Sequence, residues 1–263
     1  MQNIILEYAP SQSGWETAII TISRPEHLNA LNLLTISELD TALDEITAKK
    51  NVRCIILTGA GSKSFVAGAD IKELETLDVE GARKLSVDGN RVFSKLSNMS
   101  MPVIAAINGF ALGGGCELSL ACDIRIAAEN AVFGLPEVTL GICPGWGGTQ
   151  RLARLIGYGL ASELLFSAVR VDAARSLEIG LVSAIYPQDK LMEAAMGMAA
   201  KIGKNAPIAV SAAKKAMQAG IEVPLAEAFE IEAREFSALF TTNDAKGGLS
   251  AFGNKQKYEY MGD

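Results

Sequence analysis

The apolar residues in the first two thirds of the chain follow two kinds of pattern. Short continuous apolar runs predict buried strands, at residues 17–23, 53–59, 102–107 and 123–128. Apolar residues at three- and four-residue spacing predict amphipathic helices, one containing Ile36, Leu39, Leu43 and Ile46 and another over about residues 80–97. Strands that alternate with helices in this way indicate an α/β layer architecture.

After Pro187 the pattern becomes helical, and no strand candidate remains. The last long helix carries an apolar stripe, formed by Leu225, Phe229, Phe236 and Phe240. We therefore predict two regions. Residues 1–187 form an α/β core that holds the active site, and residues 188–263 form a helical region that packs subunits together.

The charge balance excludes one broad class of function. The chain has 263 residues, a net charge of −6 and a pI near 5.1. A general nucleic-acid binder is usually basic over its binding domain, so we expect no nucleic-acid partner. Because no apolar run reaches about 18 residues and the first residues do not form a secretory signal, we also expect no membrane span and no export.

The cysteines and the histidine restrict the chemistry further. The four cysteines are scattered and form no CxxC pair: Cys54, Cys116, Cys122 and Cys143. We therefore predict neither disulfides nor a structural zinc, and we expect a reducing cytoplasm. His27 is the single histidine, so any triad or multi-histidine metal site would rest on that residue alone.

The glycine-rich stretch at residues 58–70, TGAGSKSFVAGAD, follows a predicted strand and is a candidate nucleotide loop. No Gly-Lys-Ser or Gly-Lys-Thr occurs in the chain, so the phosphate loop is absent. The dinucleotide pattern GxGxxG would begin at Gly59, but its third glycine is replaced by Ser64. The missing third glycine therefore excludes a nicotinamide-dependent dehydrogenase.

A second stretch, NGFALGGGCEL at residues 108–118, lies between a predicted strand and a predicted helix. Glycines at such a junction allow a sharp turn and leave amides unshielded, and the first amides of a helix have no intrahelical acceptor. Such amides favour a bound anion or a developing oxyanion. The alternative is that the glycines serve only for close packing of the helix on the strand.

Two glutamates lie in strongly apolar surroundings beside these glycine loops. Glu117 follows the three glycines, and Glu137 lies in FGLPEVTLGICPGWGGTQRL at residues 133–152. Carboxyl groups seldom become buried without a reason, and two of them in an apolar site would have pKa values pushed apart, giving an acid and a base. The alternative is two solvated surface glutamates, since sequence separation says nothing about distance in space.

These residues also carry a family resemblance. The segments NGFALGGGCEL, FGLPEVTLGICPGWGGTQRL and SFVAGADIKE resemble the crotonase superfamily, in particular bacterial short-chain enoyl-CoA hydratases and 3-hydroxybutyryl-CoA dehydratases. Each motif is moderately specific, and their occurrence together in the right order is a strong signal. The resemblance extends over essentially the whole chain. It implies a spiral of β-β-α turns with a C-terminal helical region that forms trimers, often paired into hexamers.

The resemblance also implies the catalytic roles. The backbone amides of Ala69 and Gly114 would form an oxyanion hole for the thioester carbonyl. Glu117 would hold and deprotonate water, Glu137 would supply a proton to C2, and Gly145 would lend an amide near the water. No cofactor is implied, because coenzyme A is part of the substrate.

The implied contacts to coenzyme A lie in three places along the chain. The corresponding residues are Arg24, Ala67, Lys72, Phe252 and Lys255. The last two would reach the adenine and phosphate region of a neighbouring subunit, and Arg24 would assist near the phosphates. For the two lysines, a solvated surface position is the alternative.

Trp146, in PGWGG, is bulkier than the residue at this position in some relatives, which favours short acyl chains such as crotonyl-CoA. An enoyl-CoA isomerase and a branched-acyl hydratase remain the alternatives within the superfamily. Isomerases commonly keep only one of the two glutamates, whereas this chain has both.

Overall fold

The strands of the protein lie in two sheets, which we describe from a computed structural model covering residues 1–263. In chain order the strands are β1 (Ile4–Pro10), β2 (Glu16–Ile22), β3 (Val52–Gly59), β4 (Ser64–Val66), β5 (Val103–Ile107), β6 (Phe110–Leu112), β7 (Ile124–Ala128), β8 (Val132–Gly134), β9 (Val171–Asp172) and β10 (Ala184–Tyr186). The strand order is β1-β2-β3-β5-β7-β10 in the larger sheet and β4-β6-β8-β9 in the smaller.

The helices connect and cover these sheets. They are α1 (Leu33–Ala48), α2 (Ile71–Leu74), α3 (Val79–Ser97), α4 (Gly114–Leu120), α5 (Gly148–Ile156), α6 (Tyr158–Ser167), α7 (Ala173–Glu178), α8 (Leu191–Gly203), α9 (Pro207–Ile221), α10 (Leu225–Leu239) and α11 (Asn243–Gly253). None of them combines the length and the apolar character needed to cross a bilayer.

The chain runs as a spiral between the two sheets. The pairs β3–β4, β5–β6 and β7–β8 each place one strand in the larger sheet and the next in the smaller, and each pair is followed by helix. All neighbours from β2 to β10 in the larger sheet are parallel, and only β1 and β2 are antiparallel. This is the spiral of β-β-α turns that the resemblance implies.

The sequence pattern predicts the longer elements well. Its four strands correspond to β2, β3, β5 and β7, and its two helices to α1 and α3. The strands read as continuous apolar runs because the larger sheet is covered on both faces, as parallel sheets commonly are. All four of the periodic apolar residues of α1 are buried, namely Ile36, Leu39, Leu43 and Ile46.

The sequence pattern misses the strands of the smaller sheet. These strands are two or three residues long, too short to show any period, and the runs Phe110–Leu112 and Val132–Gly134 are bounded by or contain glycine. Their positions matter because β4, β6 and β8 lead directly into the loops of the functional site. β1 and β10 were also not predicted.

Between Gln188 and Gly253 the chain forms helices and short connections without any strand, as the pattern predicts. The first of these helices, α8, packs on the larger sheet, where Leu191, Ala195 and Ala199 join a cluster with residues of β3, β5 and β7. In contrast, α10 has no buried residue, and its stripe of Leu225, Phe229, Phe236 and Phe240 is more than half exposed. The division into regions 1–187 and 188–263 stays a prediction.

A buried ion pair fastens α9 to the α/β core. The Lys214 Nζ lies 2.7 Å from Asp123 Oδ2 and donates to the carbonyl of Met101 at 3.1 Å. The same Asp123 oxygen accepts the amide of Val103, the first residue of β5, at 2.7 Å. Because the Lys214 side chain is only 7% exposed, loss of this partner would leave a buried charge uncompensated.

We expect the substitution Asp123→Asn to lower the free energy of unfolding by about 3 kcal/mol, because it leaves the Lys214 charge buried without a counter-charge. Urea unfolding at fixed protein concentration measures the loss. The matched control is Glu193→Gln, which breaks the exposed pair with Lys190 and is expected to cost about 0.5 kcal/mol or less. Equal losses in the two variants would contradict the assignment.

Candidate active site

A cavity of about 390 Å³ lies between the loop after β4, the start of α4, helix α3 and the segment that follows β8. Its wall is mainly apolar, with side chains that include Ile71, Leu74, Leu77, Leu85 and Ile142. Glu117 and Glu137 are the only charged residues of the wall. The structure thus brings the two predicted glutamates to one cavity, and neither is an ordinary surface residue.

The three consecutive glycines shape this cavity in different ways. Gly113 has a φ of +50°, in the region that L side chains rarely adopt, and a Cβ there would lie 2.9 Å from Glu137 Oε1. A Cβ at Gly114 would overlap the Trp146 ring, and one at Gly115 would overlap the carbonyl oxygen of Val66 in β4. Close packing therefore accounts for Gly115, while Gly113 and Gly114 face the cavity.

Two backbone amides beside the glutamates have no acceptor within the protein. Leu31 N–H donates to the carbonyl of Gly68 at 2.8 Å, and since carbonyl and amide point in opposite directions across a trans peptide, the Ala69 N–H points away, into the cavity. The Gly114 N–H is the first of α4 and has no intrahelical acceptor. A Cβ on Gly114 would lie 3.6 Å from Ala69 N, so the two amides are neighbours.

Glu117 is held by the glycine-rich turn that precedes α5. Its Oε1 accepts the amides of Trp146 at 2.7 Å and Gly148 at 2.8 Å, and the residue is 2% exposed. Burial raises the pKa of this carboxyl to about 7; the nearby Glu137 charge adds to the rise, whereas the two amides and Arg151 oppose it. Near neutral pH both protonation states of Glu117 are populated.

The turn that holds Glu117 is itself fixed from α3. The carbonyl of Gly145 accepts hydrogen bonds from Ser86 Oγ at 2.6 Å and from Asn90 Nδ2 at 2.8 Å. Because the same peptide ends in the Trp146 N–H, fixing the carbonyl directs that amide toward Glu117. Ser86 and Asn90 are not predicted from the sequence; the one available signal is that they form a polar i, i+4 pair within the predicted helix at about residues 80–97.

Glu137 approaches the cavity from the short 3-10 helix Pro136–Leu140. Its Oε2 is buried and has no hydrogen-bond partner. Burial raises the pKa of this carboxyl, which favours the protonated form. A buried carboxyl oxygen without a partner is suited to a proton exchange with a bound ligand.

Trp146 forms part of the cavity wall as a fixed wedge. Its ring lies against Gly89 of α3 and Gly114 of α4, where any Cβ would overlap it. Its Nε1 donates to the carbonyl of Leu85 at 3.1 Å, and the ring meets Phe93 edge to face at 5.7 Å between centroids. The side chain is therefore held in place on each side.

The remaining predicted residues lie at different distances from the cavity. Ala67 belongs to its wall, and Lys72 is exposed on α2 directly beside it. Phe252 and Lys255 are exposed at the end of α11 and take no part in the wall. Arg24 is buried behind the loop after β4 and bonds to Asp70 and Ala30, so its predicted role near phosphates stays a prediction.

No three or more histidine, cysteine, aspartate or glutamate side chains come together in an arrangement that could hold a metal ion. The candidate chemistry of the site is that of two amide donors and two carboxyl groups in an apolar cavity. Such a set can stabilise charge that develops on a ligand oxygen and can move protons.

The spiral of β-β-α turns, with free amides and acidic residues at the starts of its helices, defines the crotonase class of proteins, and comparison with known proteins narrows it. Residues 15–263 match the family model described as enoyl-CoA hydratase/isomerase. The chain is 48% identical to the short-chain-enoyl-CoA hydratase of Clostridium acetobutylicum, with 98% of this chain and 97% of that protein covered. It is 43% identical to the crotonyl-CoA hydratase of Syntrophomonas wolfei, with 99% and 98% covered.

Solved structures agree with this. The crystal structure of enoyl-CoA hydratase from Bacillus anthracis superposes with a TM-score of 0.95 at 44% identity, and each chain covers 100% of the other. The chain therefore belongs to the enoyl-CoA hydratase/isomerase family.

We expect Gly115→Ala to destabilise the protein by about 3 kcal/mol or more, because a methyl group cannot fit against the Val66 carbonyl. Urea unfolding, or the yield of folded protein if the variant does not accumulate, measures the effect. The matched control is Gly197→Ala in α8, where no atom lies within 4 Å, and where alanine is expected to add about 0.5–1 kcal/mol. Similar behaviour of the two variants would show that α4 does not depend on the close approach.

Proposed function

We propose that the protein is an enoyl-CoA hydratase that adds water reversibly to a trans-2-enoyl-CoA and gives the 3-hydroxyacyl-CoA. The observation that carries the proposal is the pair of glutamates facing one apolar cavity beside two amides without acceptors. Family membership and the names of the two relatives support it.

In this reaction the thioester oxygen accepts hydrogen bonds from the amides of Ala69 and Gly114. The polarised carbonyl makes C3 electrophilic, and the enolate charge that builds up on oxygen stays next to both donors. Donors placed in this way contribute about 3–4 kcal/mol each to transition-state stabilisation in other enzymes.

Glu117 acts in its ionised form on the attacking water. Because both amides bind Oε1 of Glu117, its second carboxylate oxygen is left to accept a proton from water. As that proton leaves, the oxygen of the water bonds to C3. A pKa of about 7 suits a group that takes up a proton in one half of the reaction and releases it in the other. The Gly145 N–H, which has no backbone acceptor, is the proposed donor to the same water.

Glu137 acts in its protonated form and delivers a proton to C2. Its buried, unpartnered Oε2 supports this role. In the dehydration direction the two carboxyl groups exchange roles. Since the charge of one raises the pKa of the other, they titrate as a pair.

Coenzyme A is the proposed handle of the substrate, and no further cofactor is required. Ala67 belongs to the cavity wall and Lys72 is exposed beside it, and both are proposed to contact coenzyme A. Phe252 and Lys255 are exposed far along the chain, which suits contacts to the coenzyme A bound by a neighbouring subunit. The proposed assembly is a homotrimer or hexamer, which the exposed apolar stripe on α10 supports. The proposed location is the cytoplasm, which the four free cysteines support.

Short acyl chains are the proposed substrates. The Trp146 ring, which lies between Gly89 and Gly114, is proposed to limit the space available to the acyl group. The rates of crotonyl-CoA, a longer enoyl-CoA and a branched enoyl-CoA, compared under one condition, test this preference. Shift of a double bond in a 3-enoyl-CoA without any hydration would instead favour the isomerase alternative.

We expect Glu117→Gln and Glu137→Gln each to lower the rate of crotonyl-CoA hydration at least about a hundredfold, because each removes one proton-transfer group. The loss of ultraviolet absorbance of the conjugated thioester measures the rate. Glu193→Gln, an exposed glutamate on α8, is the matched control and should keep the wild-type rate. Near-normal turnover in either active-site variant would refute its acid/base role.

We expect the rate of hydration to fall toward acidic pH. Below pH about 7 Glu117 becomes protonated and can no longer accept the proton of water, so kcat falls with falling pH. The pKa of Glu137 is raised as well, which favours the protonated form that it needs as the proton donor. A profile whose acidic limb lay near the ordinary glutamate range would contradict the role given to Glu117.

A further inference from the structure

We infer that Arg24 and Asp70 form a positioning pair for the oxyanion hole, in which the arginine side chain fixes the segment that presents the Ala69 amide. The inference rests on the proposed function. It gives Arg24 a role different from the phosphate contact that the resemblance implies.

The first step is the place of Asp70 in the chain. It follows Ala69 directly, and its backbone N–H donates to the carbonyl of Leu31 at 2.8 Å. Its Oδ1 accepts the amide of Lys72 at 3.3 Å and so caps α2. Its Oδ2 is bound by Arg24 Nη2 at 3.1 Å. Asp70 is therefore the fixed point on one side of the Ala69 peptide.

The second step is the isolated bridge between Leu31 and Ala69. The N–H of Leu31 donates to Gly68 and its carbonyl accepts from Asp70, so the two peptides that flank Ala69 are both held by one residue. The bridge is isolated and lies outside the strands of the two sheets. Its geometry depends on how firmly the segments around Leu31 and Ala69 are joined.

Arg24 joins these two segments. One nitrogen, Nη1, donates to the carbonyl of Ala30 at 2.6 Å, and the other, Nη2, reaches Asp70. Ala30 precedes Leu31 and Asp70 follows Ala69, so the guanidinium bonds to a neighbour of each residue of the bridge. A planar group with two donors in a fixed relation suits this task better than a single ammonium.

Hydrogen bonds also fix the backbone of Arg24. Its own N–H donates to Asn29 Oδ1 at 2.9 Å. Asn29 is fully buried, and its Nδ2 donates to the carbonyls of Ala60 and Ser64 at 2.9 and 2.8 Å. These contacts join the turn after β2 to the loop between β3 and β4, so Arg24 is anchored at its backbone as well as at its tip.

Burial separates this pair from ordinary surface ion pairs. The side chains of Arg24 and Asp70 are 9% and 19% exposed, and Arg24 is absent from the cavity wall. Removing one partner from such a pair disturbs its surroundings more than removing an exposed one. The expected disturbance is a displacement of the Ala69 amide, to which the transition state is more sensitive than the bound substrate.

The test compares crotonyl-CoA with crotonyl-pantetheine, which lacks all phosphates, in the full-length protein. We expect Arg24→Lys to lower kcat by between about tenfold and a hundredfold with both thioesters and by the same factor, while KM changes little. The lysine keeps the charge but cannot make both contacts. Arg154→Lys, which alters an exposed pair with Glu222, is the matched control and should leave both rates unchanged.

A loss restricted to crotonyl-CoA would overturn the inference and assign Arg24 to the phosphates. Unchanged rates, or a raised KM with unchanged kcat, would also overturn it. If Arg24→Lys does not fold, Asp70→Asn serves the same purpose and must show the same loss of kcat with both thioesters. The failure of wild-type protein to hydrate either thioester would instead refute the proposed function itself.

Discussion

The close approach of α4 to β4 is the contact on which the site depends. Helix α4 can lie against β4 only because Gly115 presents no side chain to the Val66 carbonyl. This approach sets Gly114 next to Ala69, which follows the last residue of β4 by three positions, and it brings Glu117 one helical turn further along to the same cavity. Any bulk at the contact would separate the two amides and move the glutamate with them.

The same physical device orients the groups on both sides of the cavity. A peptide is planar, so a carbonyl that is held from behind directs the amide on its other edge. Leu31 holds the carbonyl of Gly68 and thereby directs the Ala69 N–H. Ser86 and Asn90 hold the carbonyl of Gly145 and thereby direct the Trp146 N–H toward Glu117. In both cases residues outside the reacting groups determine where an amide points.

The sequence predicts the fold and the site unequally, for physical reasons. β3 and β5 are long and buried, so their apolar runs are visible, whereas β4 and β6 are three residues each and carry no period. The apolar setting of Glu117 and Glu137 identified them as candidates. Their presence in one cavity is a property of the spiral, which no local pattern contains and which only the resemblance implied.

The positions of the supporting residues were not predictable from local patterns either. Arg24 has the residue type expected of a phosphate ligand. Its contacts to Ala30 and Asp70 instead arise because the turn after β2 packs against the loop after β4, which is remote in sequence. Ser86 and Asn90 are unremarkable polar residues until the turn at Gly145 comes to lie against them. Tertiary proximity decided the role in each case.

The way Glu117 is held has a consequence for the energetics of turnover. One of its oxygens is immobilised by two amides, and the peptide that supplies one of them is immobilised in turn. The entropy lost in ordering these groups is therefore lost once, when the chain folds, and not again in each catalytic cycle. In the proposed reaction, the folding free energy of the turn at residues 144–148 is thus linked directly to the height of the chemical barrier.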